Sequence, residues 1–530
     1  MNKYFREFLI NNHIKATSEN TNKAFLCVDR GRVDTALLCS FYSILINYKF
    51  KYTPIILSDL KKKEVYELYK SFGFNKFLIG FRYLLFFVKP IIFIKSLLLT
   101  IKLIFTIKKK GLYWFVNNFK LLNIRIGDLV HDQYIRNEKS YLKSKVDIKY
   151  INIIFKAIFR TLNISKIIRS NNIKYIIVGT ETYAHNDAIT LRLGLESKIP
   201  VIEPQLANLG FFRYKKHHIV HGRENIFYNK RIKIVKNYEK NIKKINDYLK
   251  KRLLGKGKNK YTLNHLLEKT NSKKSKYITR SEFIQKYGFE VSNVKKIILF
   301  SCHAFSDANH VLGNNFLFTD YYDHLKKTLE FVNKEDNPNI LWAIRPNPTS
   351  LNDDEYNDIN ILVKTFNNKK IFLTPRKITS VNLSEICDNV ITGRGTVAIE
   401  FACRGKYGII AGSGNYSNLG FTDEFKNRNK YFQRLKNIEK IHKLTKEKII
   451  LAKKTLYYLE NNVDSFFLEN FSNKEKNIFL KNSKFLIDES LLSKVQHDSK
   501  KSVFCKKLLD NLKNFSLNNN DYVKYFLKKI

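Results

Sequence analysis

The segment richest in usable chemistry is Thr392-Gly393-Arg394-Gly395-Thr396-Val397-Ala398-Ile399-Glu400. An apolar run ends there in a glycine-flanked turn and opens a helical pattern. That spacing leaves backbone N–H groups at a positive helix end, which suits a phosphate. Arg394 adds a charge-assisted fork, and Glu400 stands where a carboxylate can accept hydrogen bonds from ribose hydroxyls. The plainer alternative is a tight turn whose glycines only let helix and strand pack closely. A second apolar run leads into Ala411-Gly412-Ser413-Gly414-Asn415-Tyr416, a small-residue loop that makes Ser413 and Tyr416 further nucleotide-binding candidates.

The stretch Ser301-Cys302-His303-Ala304-Phe305-Ser306-Asp307-Ala308-Asn309-His310 places two histidines and a carboxylate in one loop. His303 and His310 can act as acid/base groups or anion binders, and Asp307 as base or nucleophile. A capping Asp flanked by solvent-exposed histidines is the alternative, and Asp320 and Asp323 read as helix caps. No third His or Cys is near, so no metal site is expected. Arg345-Pro346-Asn347-Pro348 ends another apolar run. Prolines on both sides stiffen the loop and aim Asn347, beside the permanent cation of Arg345. In the first half, Asp128, Asp132 and Arg136 of the stretch 127–136, Glu181, and Gln205 after Glu203-Pro204 occupy loop-like positions suited to an acceptor substrate.

These residues need a frame, and the pattern supplies one. Short apolar runs alternate with helical stretches, as in a parallel α/β fold. Strands are expected at 24–29, 54–59, 174–180 and 199–205, with helices after 32, near 149–170 and around 188–197. A second alternation follows, with strands at 295–301, 339–345, 370–375 and 389–392, then turn, helix and strand through 412. Two Rossmann-like halves of this kind bind ligand in the cleft they face.

The chain has 530 residues, 95 Lys+Arg against 47 Asp+Glu, and a formal net charge of +48. With 44% hydrophobic and 14% aromatic residues it is not a disordered polycation. The cations are spread along the chain, with no zinc-finger spacing, aromatic RNP-like strand or basic zipper, so nucleic acid is not the expected partner. Part of the charge follows from a general richness in Lys, Asn and Ile. The six cysteines show no ligand spacing and read as buried thiols of a cytosolic protein. The N-terminus has no secretory signal pattern. The apolar region 77–107 is interrupted by Arg82, Lys89, Lys95 and Lys102, and Pro90 is expected to break its helix. It reads either as an interfacial segment facing anionic lipid or as an amphipathic core helix with snorkelling lysines.

The stretches IGDLVHDQYIR, HAFSDANH with DYYDHL, IRPNP and TGRGTVAIEFACRGKYGIIAGSGNYSNLGF occur in an order that resembles the capsule polysaccharide biosynthesis family. That family is similar to bacterial Kdo- and sialyl-type glycosyltransferases of the GT-B fold. The resemblance covers roughly 120–430 and is best at 298–425. It implies a GT-B-like α/β fold with two Rossmann-like domains facing a cleft, a helical basic insert and a helical C-terminal tail. The domains would be 1–228 for the acceptor, with the insert at 60–120, a Lys-rich helical linker at 229–290, the donor domain at 291–428 and the tail at 429–530.

The resemblance also implies transfer of a sugar from a nucleotide-sugar donor, CMP-linked in related Kdo transferases, to a glycan or lipid-linked glycan of capsule or lipopolysaccharide. It implies no cofactor and no metal. Asp307, assisted by His303, would be catalytic, as a base or a nucleophile. Arg345, Asn347, Gly393, Arg394, Gly395, Thr396, Glu400, Ser413 and Tyr416 would hold the donor. Asn347-Pro348 stands where related Kdo transferases carry His-Pro. Asp128, Asp132, Arg136, Glu181 and Gln205 would hold the acceptor. A cytoplasmic, peripheral position on the inner face of the membrane follows. A non-catalytic glycan-binding protein of the same fold, or a basic nucleic-acid-binding protein, are the alternatives.

Overall fold

The computed structural model describes residues 3–17, 22–59, 62–82, 85–138, 146–180, 182–205, 210–214, 277–310, 316–347, 355–375, 378–414 and 416–461, with isolated positions in 242–250 and 506–528. These form two α/β units, one from the described residues up to 130 and from 147 to 214, the other from 131–138 and 277–461. Most of the expected linker, and the tail beyond 461, lie outside the described residues.

The first unit runs α1 (Lys3–Asn11), β1 (Ala24–Val28), α2 (Val33–Phe50), β2 (Thr53–Leu57), α3 (Lys63–Ser71), β3 (Lys76–Leu78), α4 (Leu85–Val88), α5 (Pro90–Lys110), α6 (Leu112–Asn118), β4 (Lys120–Leu121), β5 (Ile124–Arg125) and the start of α7 (Gly127–Glu138). It resumes with α8 (Ile148–Ser170), β6 (Ile173–Ile177), α9 (Asn186–Glu196), β7 (Val201–Gln205) and β8 (Gly210–Tyr214). The main sheet has the order β3-β2-β1-β6-β7-β8, parallel except for β8. Every residue of β1 is buried, as a strand covered on both faces requires. Asp147 caps α8 by accepting from the Tyr150 N–H at 2.9 Å, satisfying one of the donors a helix start leaves open. As expected, the helical run breaks at Pro90: α4 ends at Val88 and Lys89 leaves helical geometry, with φ −135° and ψ 56°. The proline opens α5 at the first turn, where a missing N–H costs nothing and its fixed φ is already helical.

The second unit contains α10 (Arg280–Lys286), β9 (Lys296–Ser301), α11 (Tyr321–Glu335), β10 (Ile340–Arg345), α12 (Glu355–Thr365), β11 (Ile371–Leu373), α13 (Ser380–Ile386), β12 (Asn389–Thr392), α14 (Val397–Ala402), β13 (Gly408–Ile410), β14 (Thr422–Glu424), α15 (Arg428–Lys436) and α16 (Lys446–Asn461). Its sheet, β11-β10-β9-β12-β13-β14, is parallel throughout. A reciprocal capping box of Thr279 and Glu282 starts α10. Both sheets step outward in one direction from β1 or β9 and in the other through β6 or β12, so each is Rossmann-like with a switch point between those strands. The pair makes the fold GT-B-like. The cores are aliphatic and aromatic, and Cys27, Cys39, Cys302, Cys387 and Cys403 are buried free thiols within them.

The strands expected from sequence appear within a residue or three of their places. Those missed are β3, β4, β5, β8 and β14, each of two to five residues and too short for a period to stand out. The stretch 203–205 is not loop but the end of β7, where Tyr214 donates to the buried Glu203 carboxylate across to β8.

Candidate functional site in the second unit

Four adjacent parallel strands of the second unit deliver their chemistry from the same end. Arg345 closes β10 and pairs with Ser301 of β9. His303 follows β9, Arg394 follows β12, and Ser413 follows β13. The C-terminal edge beside a switch point is where such sheets present ligands.

The β12–α14 turn is held from three sides. The Arg394 N–H donates to His303 Nε2 at 3.1 Å. The Gly395 N–H donates to Thr392 Oγ1 at 3.3 Å, and Tyr416 donates its hydroxyl to the Gly395 carbonyl at 2.5 Å. The His303 ring stacks on Tyr321 with centroids 4.2 Å apart and planes 13° from parallel. Glycine is required by space. A Cβ on Gly393 would sit 2.7 Å from the Tyr321 ring and 3.2 Å from His303, and one on Gly395 2.9 Å from Thr392 Oγ1.

This geometry revises two sequence expectations. The turn's N–H groups at Arg394 and Gly395 are directed into the protein, not left open to a phosphate. The Arg394 side chain is partly exposed and so within reach of an anion. His303 is not a free acid/base group. Its Nε2 accepts a backbone proton, which places its own proton on Nδ1, and desolvation, with the nearby Arg394 charge adding to it, pushes its pKa down to about 3. It is a neutral support for the turn. Tyr416 likewise supports the turn, and its burial raises its pKa well above the usual phenol value.

Asp307 is exposed and accepts from the N–H of Ala308 at 2.9 Å. Its loop is anchored by Glu355, the buried first residue of α12, whose two oxygens accept the N–H groups of Phe305 and Ser306, each at 3.0 Å. Arg345 donates to the Pro375 carbonyl at 3.0 Å, and burial lowers its pKa to about 10, still far above neutrality. Asn347 is partly exposed two residues beyond it. Thr396 is exposed and Glu400 partly so, Glu400 on a helix of only six residues.

The acceptor candidates are not brought together. Asp128 is fully buried in the first unit. It is gripped by both terminal nitrogens of Arg192 at 2.7 and 2.9 Å, by Arg125 at 3.1 Å and by the Leu129 N–H at 2.9 Å. Its oxygens are saturated, so it is a structural ion pair and not an acceptor ligand. Asp132 belongs to the second unit. One oxygen accepts the His310 N–H at 2.9 Å and the other meets His310 Nδ1 at 2.8 Å, all fully buried. Neither residue is therefore a free site group. Arg136 is exposed on α7. Glu181 and the side chain of Gln205 lie outside the described residues.

Sequence reasoning missed Tyr321, Thr392 and Glu355 as supports. It also missed the second buried pair, His131 Nε2 with Asp320 Oδ2 at 3.1 Å. The capping role read for Asp320 is present, since its other oxygen accepts from the Asp323 N–H at 2.8 Å. Two shallow hollows, of about 360 Å³ beside Phe331 and Trp342 and about 440 Å³ beside Ile173 and Pro200, lie at strand N-terminal ends and include none of these residues. Among the described residues no group of three His, Cys, Asp or Glu could hold a metal ion.

No family model and no curated protein matches the chain. Among solved structures it is similar to the beta Kdo 2,4 transferase KpsC of Thermosulfurimonas dismutans, at 12% identity over 53% of this chain and 79% of that one, with a TM-score of 0.27. It is also similar to a glycosyltransferase of Rickettsia africae ESF-5, at 15% identity over 89% and 100%, TM-score 0.27. Anabaena Alr3699/HepE, solved in complex with UDP and glucose, gives 11% identity over 87% and 98%, TM-score 0.26. At scores this low the fold reading stands on the chain's own two sheets.

Proposed function

We propose that this protein is a cytoplasmic GT-B glycosyltransferase that moves a sugar from a nucleotide-sugar donor onto a glycan or lipid-linked glycan of the bacterial surface, capsule or lipopolysaccharide, without a metal. The observation that carries this reading is the placement of Arg345, Arg394 and Ser413 along the C-terminal edge of the second sheet, beside a turn braced by His303, Tyr321 and Tyr416. Two permanent cations at a switch point suit the phosphate of an activated sugar. Glu400 would take the ribose, and Thr396 and Asn347 would contact the donor beside the cations.

In the reaction, an acceptor hydroxyl oxygen bonds to the anomeric carbon as the bond from that carbon to the phosphate oxygen breaks. The nucleotide leaves with the electron pair, its charge held by Arg394 and Arg345. Asp307 is the exposed carboxylate of the constellation. It either takes the hydroxyl proton or forms the first bond to the anomeric carbon itself.

Thermal unfolding with CMP, UDP and GDP tests the reading. We expect CMP to raise the Tm and Arg394→Ala to weaken that binding about 10–100-fold, the loss of charged hydrogen bonds worth roughly 1.5–3 kcal/mol. Asp307→Ala should keep nucleotide binding and abolish donor hydrolysis. No shift with any nucleotide would overturn the proposal. A non-catalytic glycan-binding role is favoured by the engagement of His303 and His310 in structural bonds, and binding without turnover in the wild-type protein would select it.

A further inference from the structure

Helix α5 is built inside out. Its inward side carries two small hydroxyl residues, Ser96 and Thr100, followed by Leu103 and Ile107. Both hydroxyls donate to carbonyls one turn back, Ser96 to Ile92 at 2.6 Å and Thr100 to Ser96 at 2.8 Å. The outward side carries the large apolar residues: Ile91, Ile94, Leu97, Leu98, Ile101 and Phe105 are 43–81% exposed. At 3.6 residues per turn these six fall within an arc of about 120°. Phe87 and Val88 of α4, 85% and 72% exposed, extend the patch. A water-facing helix side is ordinarily polar, and a contiguous apolar patch of this kind marks a docking surface.

The charges around the patch identify what it docks on. Lys95 and Lys102 are exposed along one edge of the arc, and Lys108, Lys109 and Lys110 are exposed at its end. Tyr113 is exposed and Trp114 lies under Lys110, whose Nζ is 4.6 Å from the ring centroid. An apolar stripe, a lysine edge and amphipathic aromatics at one end match the boundary between acyl chains and anionic headgroups. We infer that the α4–α5 face lies in the plane of an anionic bilayer, with the apolar arc in the acyl boundary and the lysines among phosphates. By length and composition α5 could also cross a membrane, and only 22% of its most apolar window is buried. Its inward side, however, is packed against the α/β unit through α8, where Phe86 and Phe93 meet Phe155 and Phe159. That packing holds the helix flat on the protein surface. A second copy on the same face would bring two lysine edges together, which is unfavourable. The inference is independent of the reaction proposed above.

Co-sedimentation of the full chain with vesicles tests it. Binding is expected to phosphatidylcholine vesicles that contain phosphatidylglycerol, weaker in high salt, and absent from phosphatidylcholine alone. The triple variant Ile94→Glu, Leu98→Glu, Phe105→Glu changes only exposed side chains, so its thermal unfolding should match wild type while vesicle affinity falls at least about tenfold. Brominated lipids should quench Trp114 at shallow depth, with Trp342, buried in β10, left unquenched. No binding by wild type, or full binding by the triple variant, would overturn the inference. So would carbonate-resistant insertion, which indicates spanning, or a dimer that the triple variant dissolves without any vesicle binding.

Discussion

The two units share one strand order and differ in what they place at the switch point. In the first, the end of β1 and the first turn of α9 bring together acids. Asp29 accepts from Ser58 Oγ at 2.7 Å and from the Gly31 N–H at 2.9 Å, and burial raises its pKa. Asp187 accepts from the Gly179 N–H at 2.7 Å, and burial pushes its pKa up to about 6. In the second, the ends of β9 and β12 carry a neutral histidine and an arginine, with Arg345 on the neighbouring strand. The same scaffold therefore carries two acids beside Arg30, which donates to the Gly179 carbonyl at 3.1 Å, at one edge and two arginines at the other. Topology marks where a ligand can sit, and the side chains there decide its charge.

The largest way to disturb this contrast lies in the first unit. Asp128→Ala leaves Arg192, 1% exposed, as an uncompensated buried charge, which should cost about 3–5 kcal/mol. Loss of unfolding cooperativity confined to the first sheet, read by hydrogen exchange, would check it. A loss below about 1 kcal/mol would show that the pair is not the brace described here.

Next come two glycines at helix–strand contacts. In Gly408→Ala the new Cβ would meet Ala398 Cα at 2.9 Å, whereas in Gly194→Ala it would meet Ile176 Cδ1 at 2.6 Å. A helix backbone cannot move aside and the end of an isoleucine can. We expect Gly408→Ala to cost about 1–3 kcal/mol and Gly194→Ala less. Equal denaturant midpoints would break the comparison.

The most gradual effect is in pH. His303 is held below its usual pKa, so the folded protein carries fewer protons there than the unfolded chain, and its stabilising contribution is lost as pH falls from about 6.5 toward 3. Asp187 is held above its usual pKa, so its burial penalty is present above about pH 6 and is relieved as pH falls toward 4. Between about pH 4 and 6 the first sheet should gain and the second lose, each by at most about 1.4 kcal/mol per pH unit per group. Site-resolved hydrogen exchange across that range, repeated with Asp187→Asn, separates the two slopes. Parallel slopes would contradict the assignment.

The sequence carried the alternation of strands and helices because buried parallel strands are short apolar runs with little else to resemble. It also carried the Gly393–Gly395 turn, since a glycine on each side of an arginine is a local signal. It could not carry the partners. His303 and Arg394 are 91 residues apart in the chain, Asp132 and His310 178, and His131 and Asp320 189. Nothing local in Asp128 or Asp132 distinguishes a carboxylate saturated by a distant Arg or His from one facing a substrate. For the same reason the turn looked open, because the acceptors for its N–H groups are side chains whose positions only the fold supplies.

Glu355 turns a loop into an extension of the sheet. Its carboxylate fixes two consecutive amides, those of Phe305 and Ser306, beyond β9 and directly before Asp307. Loop amides ordinarily exchange with solvent deuterium within seconds to minutes, but these two can exchange only when α12 and the loop part company. They should show protection of the kind seen for strand amides, and Glu355→Gln should weaken it by removing the charge that strengthens both bonds. The carboxylate of Asp307 is then presented from a stationary platform.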